Sequence, residues 1–287
     1  MRTLLLFSAA LALLAALPAR AGGVNDDGAP WLPQLELPRG LAMGGAHAAV
    51  ATSNDAMTVN PAGLAQRKRY HLQVDGLYDV KFPASGFSAS IVDSSSLMVG
   101  TGMMVQRFFV GEEGRRADGW IFGLAYAYPA GSFYFGGETK YLRFTGPAGE
   151  SRQFVQDLGI LGAAGSFTWA LVTQNLSTSV VPLFPPTATA AIALGSDGDY
   201  RLAFDWKTDL SDQQNLKHLG AAGLELVLDQ SLVLRGGYTW SPTYGHHWIS
   251  AGVGIVADKV GLSFAWRRRV SGPLDQVLQA SITLYLE

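Results

Sequence analysis

Residues 118–128 read DGWIFGLAYAY, and the alternation within this stretch decides the fold class. In a β-strand, successive side chains point to opposite faces of the sheet. One face of this stretch is bulky and apolar, whereas the other holds mainly glycine and alanine. The bulky face consists of Trp120, Phe122, Leu124, Tyr126 and Tyr128. The pattern predicts a long strand with one large apolar side and one compact side.

The same alternation recurs along most of the chain, for example in residues 199–208 and 259–267. It begins at Tyr70 and predicts fourteen strands that hold 149 residues, about 10.6 each. Strands of transmembrane barrels run to about 9–11 residues, whereas strands of ordinary globular sheets average about 5–6. The predicted strands are 70–79, 84–92, 96–108, 118–128, 131–144, 154–162, 166–175, 187–195, 199–208, 217–228, 231–240, 246–256, 259–267 and 274–285.

The connections between these strands distinguish a membrane barrel from a soluble β-sandwich, whose strands also alternate. After even-numbered strands the predicted connections have two or three residues, whereas most of the others are longer, as in 109–117 and 145–153. Bacterial outer-membrane barrels have short periplasmic turns, longer outer loops and an even number of strands. We therefore predict an all-β protein, a fourteen-stranded antiparallel transmembrane β-barrel in the outer membrane of a Gram-negative-type bacterium.

The composition and the first residues further limit where the protein is located and which classes of function are possible. Arg2, an apolar run and the site Ala19-Arg20-Ala21 predict a cleaved secretory signal peptide over residues 1–21. The chain has no cysteine, so it can form neither a disulfide nor a thiolate metal site. Its net charge of −2 gives no attraction to nucleic acid. Because 48% of the residues are hydrophobic and only 15% are charged, the mature chain must bury a large core or face lipid.

Residues 22–69 are rich in glycine and alanine and show no strand period. About eight strands leave an interior that side chains can fill, whereas a larger number leaves a wider lumen. We therefore predict that 22–69 form a hatch, or plug, inside a barrel made by 70–287. An ordinary periplasmic tail is the alternative. Small residues would allow close packing, and an asparagine amide would pair with irregular backbone. The predicted hatch contacts are Gly44, Gly45, Asn60, Pro61 and Ala62.

Motifs in this segment and beyond resemble one known family. Met43-Gly44-Gly45-Ala46 and Asn60-Pro61-Ala62-Gly63-Leu64 are similar to the N-terminal hatch of the FadL superfamily of fourteen-stranded outer-membrane proteins. Four further motifs resemble the compact PorV/PorQ-like branch of that superfamily. They are Asp157-Leu158-Gly159, Gln174-Asn175-Leu176, Gly223-x-Glu225 and Leu234-Arg235-Gly236-Gly237-Tyr238.

The resemblance implies two alternative functions, neither of which is enzymatic. FadL proteins carry long-chain fatty acids and other hydrophobic molecules across the outer membrane. This implies a fatty-acid-like small-molecule ligand and contact with outer-membrane lipid. PorV-type proteins serve a secretion system as accessories or shuttles, which implies envelope or secretion proteins as partners. Passage of a hydrophobic small molecule is the leading expectation.

Charged residues also occur on the side of the strands that should face the lumen. One interpretation is a polar constriction or a ligand contact. The other is a network of ion pairs that fixes strand register and docks the hatch, and unpaired charges in a narrow lumen would be costly in either case. The predicted lumen residues are Glu138, Lys140, Asp157, Asp205, Glu225 and Arg235.

The connection 176–186 is unusually apolar for a segment that should be exposed. It is either a capture surface for a hydrophobic ligand or a rigid flap folded over the mouth of the barrel. Its candidate ligand contacts are Val181, Leu183 and Phe184.

Other motifs do not support chemistry. His246 and His247 are adjacent at a strand start, point to opposite faces and would chelate one ion poorly. No nucleotide fingerprint and no nucleophile motif stands out, so we expect no metal, no cofactor and no catalysis. The cluster at 267–269, three consecutive arginines, predicts either contact with lipopolysaccharide phosphates or an ordinary solvated charge cluster.

Overall fold

The computed structural model describes residues 36–80, 84–110, 117–146, 149–177, 184–196, 198–228, 231–271 and 276–286. The predicted signal peptide, 1–21, and residues 22–35 of the predicted hatch lie outside these residues. Among the described residues, no helix is long and apolar enough to cross a membrane.

Fourteen antiparallel strands close into a single barrel. Each strand pairs with the next one along the chain, and the last pairs with the first, with Tyr70 opposite Leu286. The predicted fold class, a closed fourteen-stranded antiparallel barrel, is therefore confirmed. The strands are β1 Tyr70–Asp79, β2 Ala84–Asp93, β3 Gly100–Val110, β4 Ala117–Ala130, β5 Phe133–Gly146, β6 Gly149–Ala164, β7 Phe167–Leu176, β8 Thr187–Gly195, β9 Tyr200–Asp209, β10 Lys217–Leu228, β11 Leu232–Ser241, β12 His246–Ala257, β13 Val260–Arg269 and β14 Gln276–Leu286.

The outside of the barrel is apolar, as the alternation predicts. On β4, Phe122 and Leu124 are 46% and 47% exposed, whereas Ile121 and Ala125, which flank this pair in sequence, are 2% and 3% exposed. Strands β9 and β13 follow the same alternation, with large apolar residues outside and small or polar residues inside. A closed barrel has no free edge, so it can present such a surface to lipid with every strand paired.

The largest differences from the predicted strand boundaries occur at the start of the third strand and at the start of the sixth. The third strand begins at Gly100 rather than at residue 96, because Asp93 accepts hydrogen bonds from the backbone N–H groups of Ser95 and Ser96 and holds 94–99 in a turn. The hairpin of β5 and β6 is longer than predicted. Its strands pair as far as Gly146 and Gly149, so the long connection expected at 145–153 is short.

Residues 36–69, here called the inner segment, contain only short helices. Helix α1 is Pro38–Ala42 and α2 is Ala56–Val59, and two 3₁₀ turns cover Ser53–Asp55 and Pro61–Ala65. Proline occupies a first-turn position in α1 and in the second 3₁₀ turn, where its missing N–H costs nothing. The helices contact strands on several sides of the barrel, including β12, β13, β4 and β5, so the inner segment lies in the lumen.

The inward and outward faces predict different responses to substitution. Leu124→Arg or Phe204→Arg should lower the free energy of unfolding by about 2–4 kcal/mol, because each would place a cation near the middle of the apolar band. Ala125→Ser, inside the barrel, is the control and should change it by much less. Denaturant unfolding of barrels in lipid vesicles measures the difference, and equal losses at both faces would contradict the assignment.

Candidate lumenal site

Glycines on the wall bring the inner segment near Met43 and Gly44 into direct backbone contact with two strands, β10 and β11. Gly44 has a φ of +67°, a left-handed conformation that favours glycine. A Cβ added to Gly237 would lie 2.2 Å from the Gly44 nitrogen, and one added to Gly223 would lie 2.6 Å from the Met43 carbonyl oxygen. Because the atoms in the way are backbone, no side chain can move aside. The contact therefore requires glycine on the wall.

A second contact of the same kind forms around Asn60, Pro61 and Ala62. A Cβ on Gly136 of β5 would meet the Ala62 nitrogen at 2.2 Å, and one on Gly159 of β6 would meet the Asn60 Oδ1 at 2.1 Å. Thus each of the two sequence motifs of the inner segment packs on glycines of neighbouring strands.

The Asn60 side chain holds the irregular backbone of the inner segment together. Its Nδ2 donates to the Ala48 carbonyl oxygen at 2.9 Å, and its Oδ1 accepts from the Ala62 N–H at 3.1 Å. The residue is fully buried. In a buried segment with few backbone partners, this amide satisfies one donor and one acceptor that would otherwise be unpaired.

Arg39 joins the inner segment to the wall through a buried ion cluster. Its Nε and an Nη donate to the two oxygens of Glu225 on β10, at 2.9 and 2.8 Å. Arg235 on β11 donates to the same carboxylate at 2.8 Å. Another Nη of Arg39 lies 3.3 Å from Asp55 within the inner segment. Burial alone would lower the pKa of Arg39, but Glu225 and Asp55 hold it above its ordinary value.

Asp205 on β9 makes a second polar attachment. Its Oδ2 accepts from the backbone N–H groups of His47 and Ala48, at 3.1 and 2.9 Å. Burial holds the pKa of His47 below its ordinary value, so the ring is neutral at pH 7. That ring lies flat against Gly40, where a Cβ would be 2.4 Å from it. A neutral imidazole suits this tightly packed position.

A separate polar group lies between β5, β6 and β7. Lys140 donates to Asp157 at 2.7 Å and to the side chain of Asn175 at 2.8 Å. The Asp157 carboxylate also accepts from the backbone N–H of Asn175, which has a φ of +57°. The register between β6 and β7 shifts at this point, between Gln156 and Leu158. Among the fourteen described strand pairings, this is the one interruption of register.

Glu138 lies beside that group but does not join it. It is fully buried, and neither carboxylate oxygen has a hydrogen-bond partner among the described residues. A Cβ on Gly123 would lie 2.2 Å from its Oε1, so the carboxyl group packs on the glycine of the adjacent strand.

Aromatic side chains fill the lumen at the end opposite the two chain termini, here called the far end. Phe184 lies 5.0 Å from Phe144 and 6.0 Å from Phe108 between ring centroids. All three are at most 7% exposed. Nearby lumen-facing Leu142 and Val155 are also buried, so an apolar cluster lies beside β3, β5 and β6 at the far end. Buried polar residues line other strands at the same end, among them Asp79, Asp209 and Arg269.

The structure separates the six predicted lumen residues into distinct groups. All six are inside the barrel, and two ion clusters form, one around Glu225 with Arg235 and one around Lys140 with Asp157. Asp205 instead binds backbone of the inner segment. The sequence did not single out Arg39, although an arginine in a Gly/Ala-rich segment that docks against carboxylates is a usable signal. Of the wall glycines, Gly159, Gly223 and Gly237 belong to sequence motifs without being predicted as contacts, and Gly136 belongs to none.

Two other predictions need correction. Phe184 is 4% exposed, so it is not an exposed capture residue, because its ring packs on the two lumenal phenylalanines. Val181 and Leu183 lie outside the described residues. In the arginine run 267–269, only Arg268 points outward, since neighbouring residues of a strand alternate faces.

Metal chemistry finds no support in the geometry. Over the residues that the structure covers, no three histidine, aspartate or glutamate side chains gather as a possible metal site. His247 instead contacts the hydroxyl of Tyr238 at 2.6 Å.

Comparison with known proteins gives a likeness in structure but not in sequence. No protein-family model matches the chain. No curated protein matches it at a significant level. Solved structures do match, at low sequence identity.

Three of the matching structures are outer-membrane channels or their homologues. The Ralstonia pickettii toluene transporter TbuX has a TM-score of 0.69 at 12% identity, covering 89% of this chain and 99% of that one. The CymD monoaromatic hydrocarbon channel has a TM-score of 0.69 at 13% identity, and the match covers 87% of this chain and 97% of that one. A Pseudomonas aeruginosa FadL homologue has a TM-score of 0.68 at 11% identity, and the match covers 86% of this chain and 98% of that one. The chain therefore has the fold of FadL-type outer-membrane barrels. Assignment to the PorV/PorQ-like branch stays a prediction.

The glycine contact gives a matched pair of variants. Gly237→Ala should displace the inner segment, because its Cβ would meet the Gly44 nitrogen at 2.2 Å. Gly236→Ala is the control, since nothing lies closer than 4.0 Å to its added Cβ. Trypsin should cut at Arg39 much faster in the first variant, while heat-dependent gel migration shows that both barrels are intact. Equal protection of Arg39 in the two variants would contradict the contact.

Proposed function

We propose that this protein carries a hydrophobic small molecule across the outer membrane and that residues 22–69 act as its hatch. The proposal assigns the barrel to the outer membrane, after removal of residues 1–21, with the far end facing outward. No chemical step is involved. The protein binds its ligand, shields it from water and releases it.

One observation carries the proposal, namely that the lumen is filled in two different ways along its length. The near half holds the inner segment, fixed to the wall by backbone contacts and by the Arg39–Glu225 ion pair. The far half holds an apolar cluster beside β3 and β5 that includes Phe108, Phe144 and Phe184. An open water channel would serve polar solutes, whereas a filled lumen with an apolar cluster at its far end suits a ligand that leaves water readily.

The solved structures support this proposal through their fold. TodX of P. putida and TbuX are named toluene transporters, and CymD is named a monoaromatic hydrocarbon channel. An aromatic cluster in the lumen would accept an alkyl chain or an aromatic ring. A fatty-acid-like ligand and a monoaromatic hydrocarbon are therefore both candidates for the cargo.

The hatch makes a prediction for ion flow. In planar bilayers the intact protein should conduct little, and deletion of residues 22–66 should open large, steady channels, because fourteen strands leave a wide lumen. Asn60→Ala should produce flicker, since it removes two hydrogen bonds that hold the segment. Asn215→Ala, in an exposed turn, is the control. Large, steady conductance from the intact protein would rule out the hatch.

The apolar cluster around Phe184 makes a prediction for transport. Phe184→Asp should lower the uptake of oleate or toluene into proteoliposomes several-fold, because it places a carboxylate between Phe108 and Phe144. Leu216→Asp is the matched control, since Leu216 is an exposed apolar residue of another far-end connection, outside the cluster. Equal uptake by the wild type and by Phe184→Asp would contradict this route.

The accessory role implied by the PorV-like motifs has a separate test. Mass spectrometry of everything that co-purifies with the protein should find a bound hydrophobic molecule if the protein is a transporter. Stable co-purification with secretion components, together with no uptake of either probe, would favour the accessory role and overturn the transport proposal.

A further inference from the structure

The outer wall carries a row of arginines at the far end of β3 to β6. Strand pairing places Arg107 opposite Trp120, Trp120 opposite Arg143, and Arg143 opposite Arg152. The side chains of these residues point outward from the barrel. The next outward row toward the middle of the barrel consists of Val105, Phe122, Tyr141 and Phe154. The arginines therefore lie where the apolar wall ends.

Among the residues that the structure describes, the carboxylates around this row do not balance its charges. Arg143 and Arg152 are directly opposite each other, an arrangement that is unfavourable for like charges. Glu150 contacts both guanidinium groups, with the Arg152 Nη at 3.1 Å, and Asp118 lies 2.7 Å from Arg107. Three cations against two anions leave an excess of one positive charge at the edge of the apolar surface.

A cavity opens within this row. It has a volume of about 220 Å³ and is lined by Arg107, Asp118, Trp120, Arg143 and Thr145. The guanidinium carbon of Arg107 lies 4.5 Å from the Trp120 ring centroid, which holds the group in place by a cation–π contact. Its buried Nε has no hydrogen-bond partner among the described residues. The cavity is thus lined by two guanidinium groups, a hydroxyl and one carboxylate, Asp118, which pairs with Arg107.

We propose that this cavity binds the phosphate group of a lipid headgroup in the outer leaflet. Guanidinium groups pair with phosphate through two parallel hydrogen bonds. Tryptophan at the end of an apolar band marks the level of the membrane interface, where headgroups lie. A lipid fits better than free phosphate, because the cavity adjoins the exposed apolar wall on which acyl chains would pack. The inference rests on the membrane-spanning part of the proposed function and not on transport.

Native mass spectrometry of the full protein in detergent tests the site, with diphosphoryl lipid A as the probe. The wild type should retain the lipid, and the double variant Arg107→Gln/Arg143→Gln should bind it about tenfold more weakly, as expected when charge-assisted contacts are lost. Lys259→Gln removes an exposed cation from the near-end turn between β12 and β13, and it should leave binding unchanged. Arg143→Gln alone serves as the second variant, because that side chain is half exposed.

Three results would overturn the phosphate site. The first is equal binding of lipid A by the wild type and the double variant, and the second is equal binding of lipid A from which both phosphates are removed. The third is displacement of the lipid by millimolar inorganic phosphate, since the cavity would then take a free anion. Heat-dependent gel migration shows that each variant is folded. Lipid binding without uptake of oleate or toluene would leave this site standing and remove only the transport role.

Discussion

The width of the lumen is the constraint on which the rest of this structure depends. Fourteen strands must close so that no backbone edge meets lipid, and closure fixes a lumen wider than side chains can fill. Something else must occupy it. The inner segment does so in the near half, and in the far half an apolar cluster around Phe184 packs beside buried polar residues of other strands.

The irregular backbone of the inner segment has N–H and C=O groups that need hydrogen-bond partners inside the barrel. A few side chains provide these partners. Asn60 and Asp205 accept from backbone N–H groups that no strand can reach. Arg39 donates to a backbone carbonyl at 3.2 Å as well as to Glu225. Glycines on the wall remove the Cβ atoms that would hold the two backbones apart. The inner segment is therefore held by polar side chains at the same places where its backbone approaches the barrel wall closely.

The ion cluster around Glu225 shows why one carboxylate can serve both the wall and the inner segment. Glu225 and Arg235 face each other across two strands and fix their register. Arg39 then adds a second cation from inside the lumen. Removing one member of such a buried cluster leaves an uncompensated charge, which costs several kcal/mol, typically about 3–5. Placement of the inner segment and integrity of the wall are thus physically coupled.

The sequence by itself determined the barrel, because a period of two repeated over fourteen long segments has few other solutions. It also placed Glu225 and Arg235 inside, since parity fixes the face of every residue on a strand. It could not pair Arg39 with Glu225, 186 positions away, or Gly44 with Gly237, because those contacts depend on how the segment turns within the lumen. Phe184 was misplaced for the same reason: an apolar residue in a connection has no parity, and only the packing of Phe108 and Phe144 decides that it points inward.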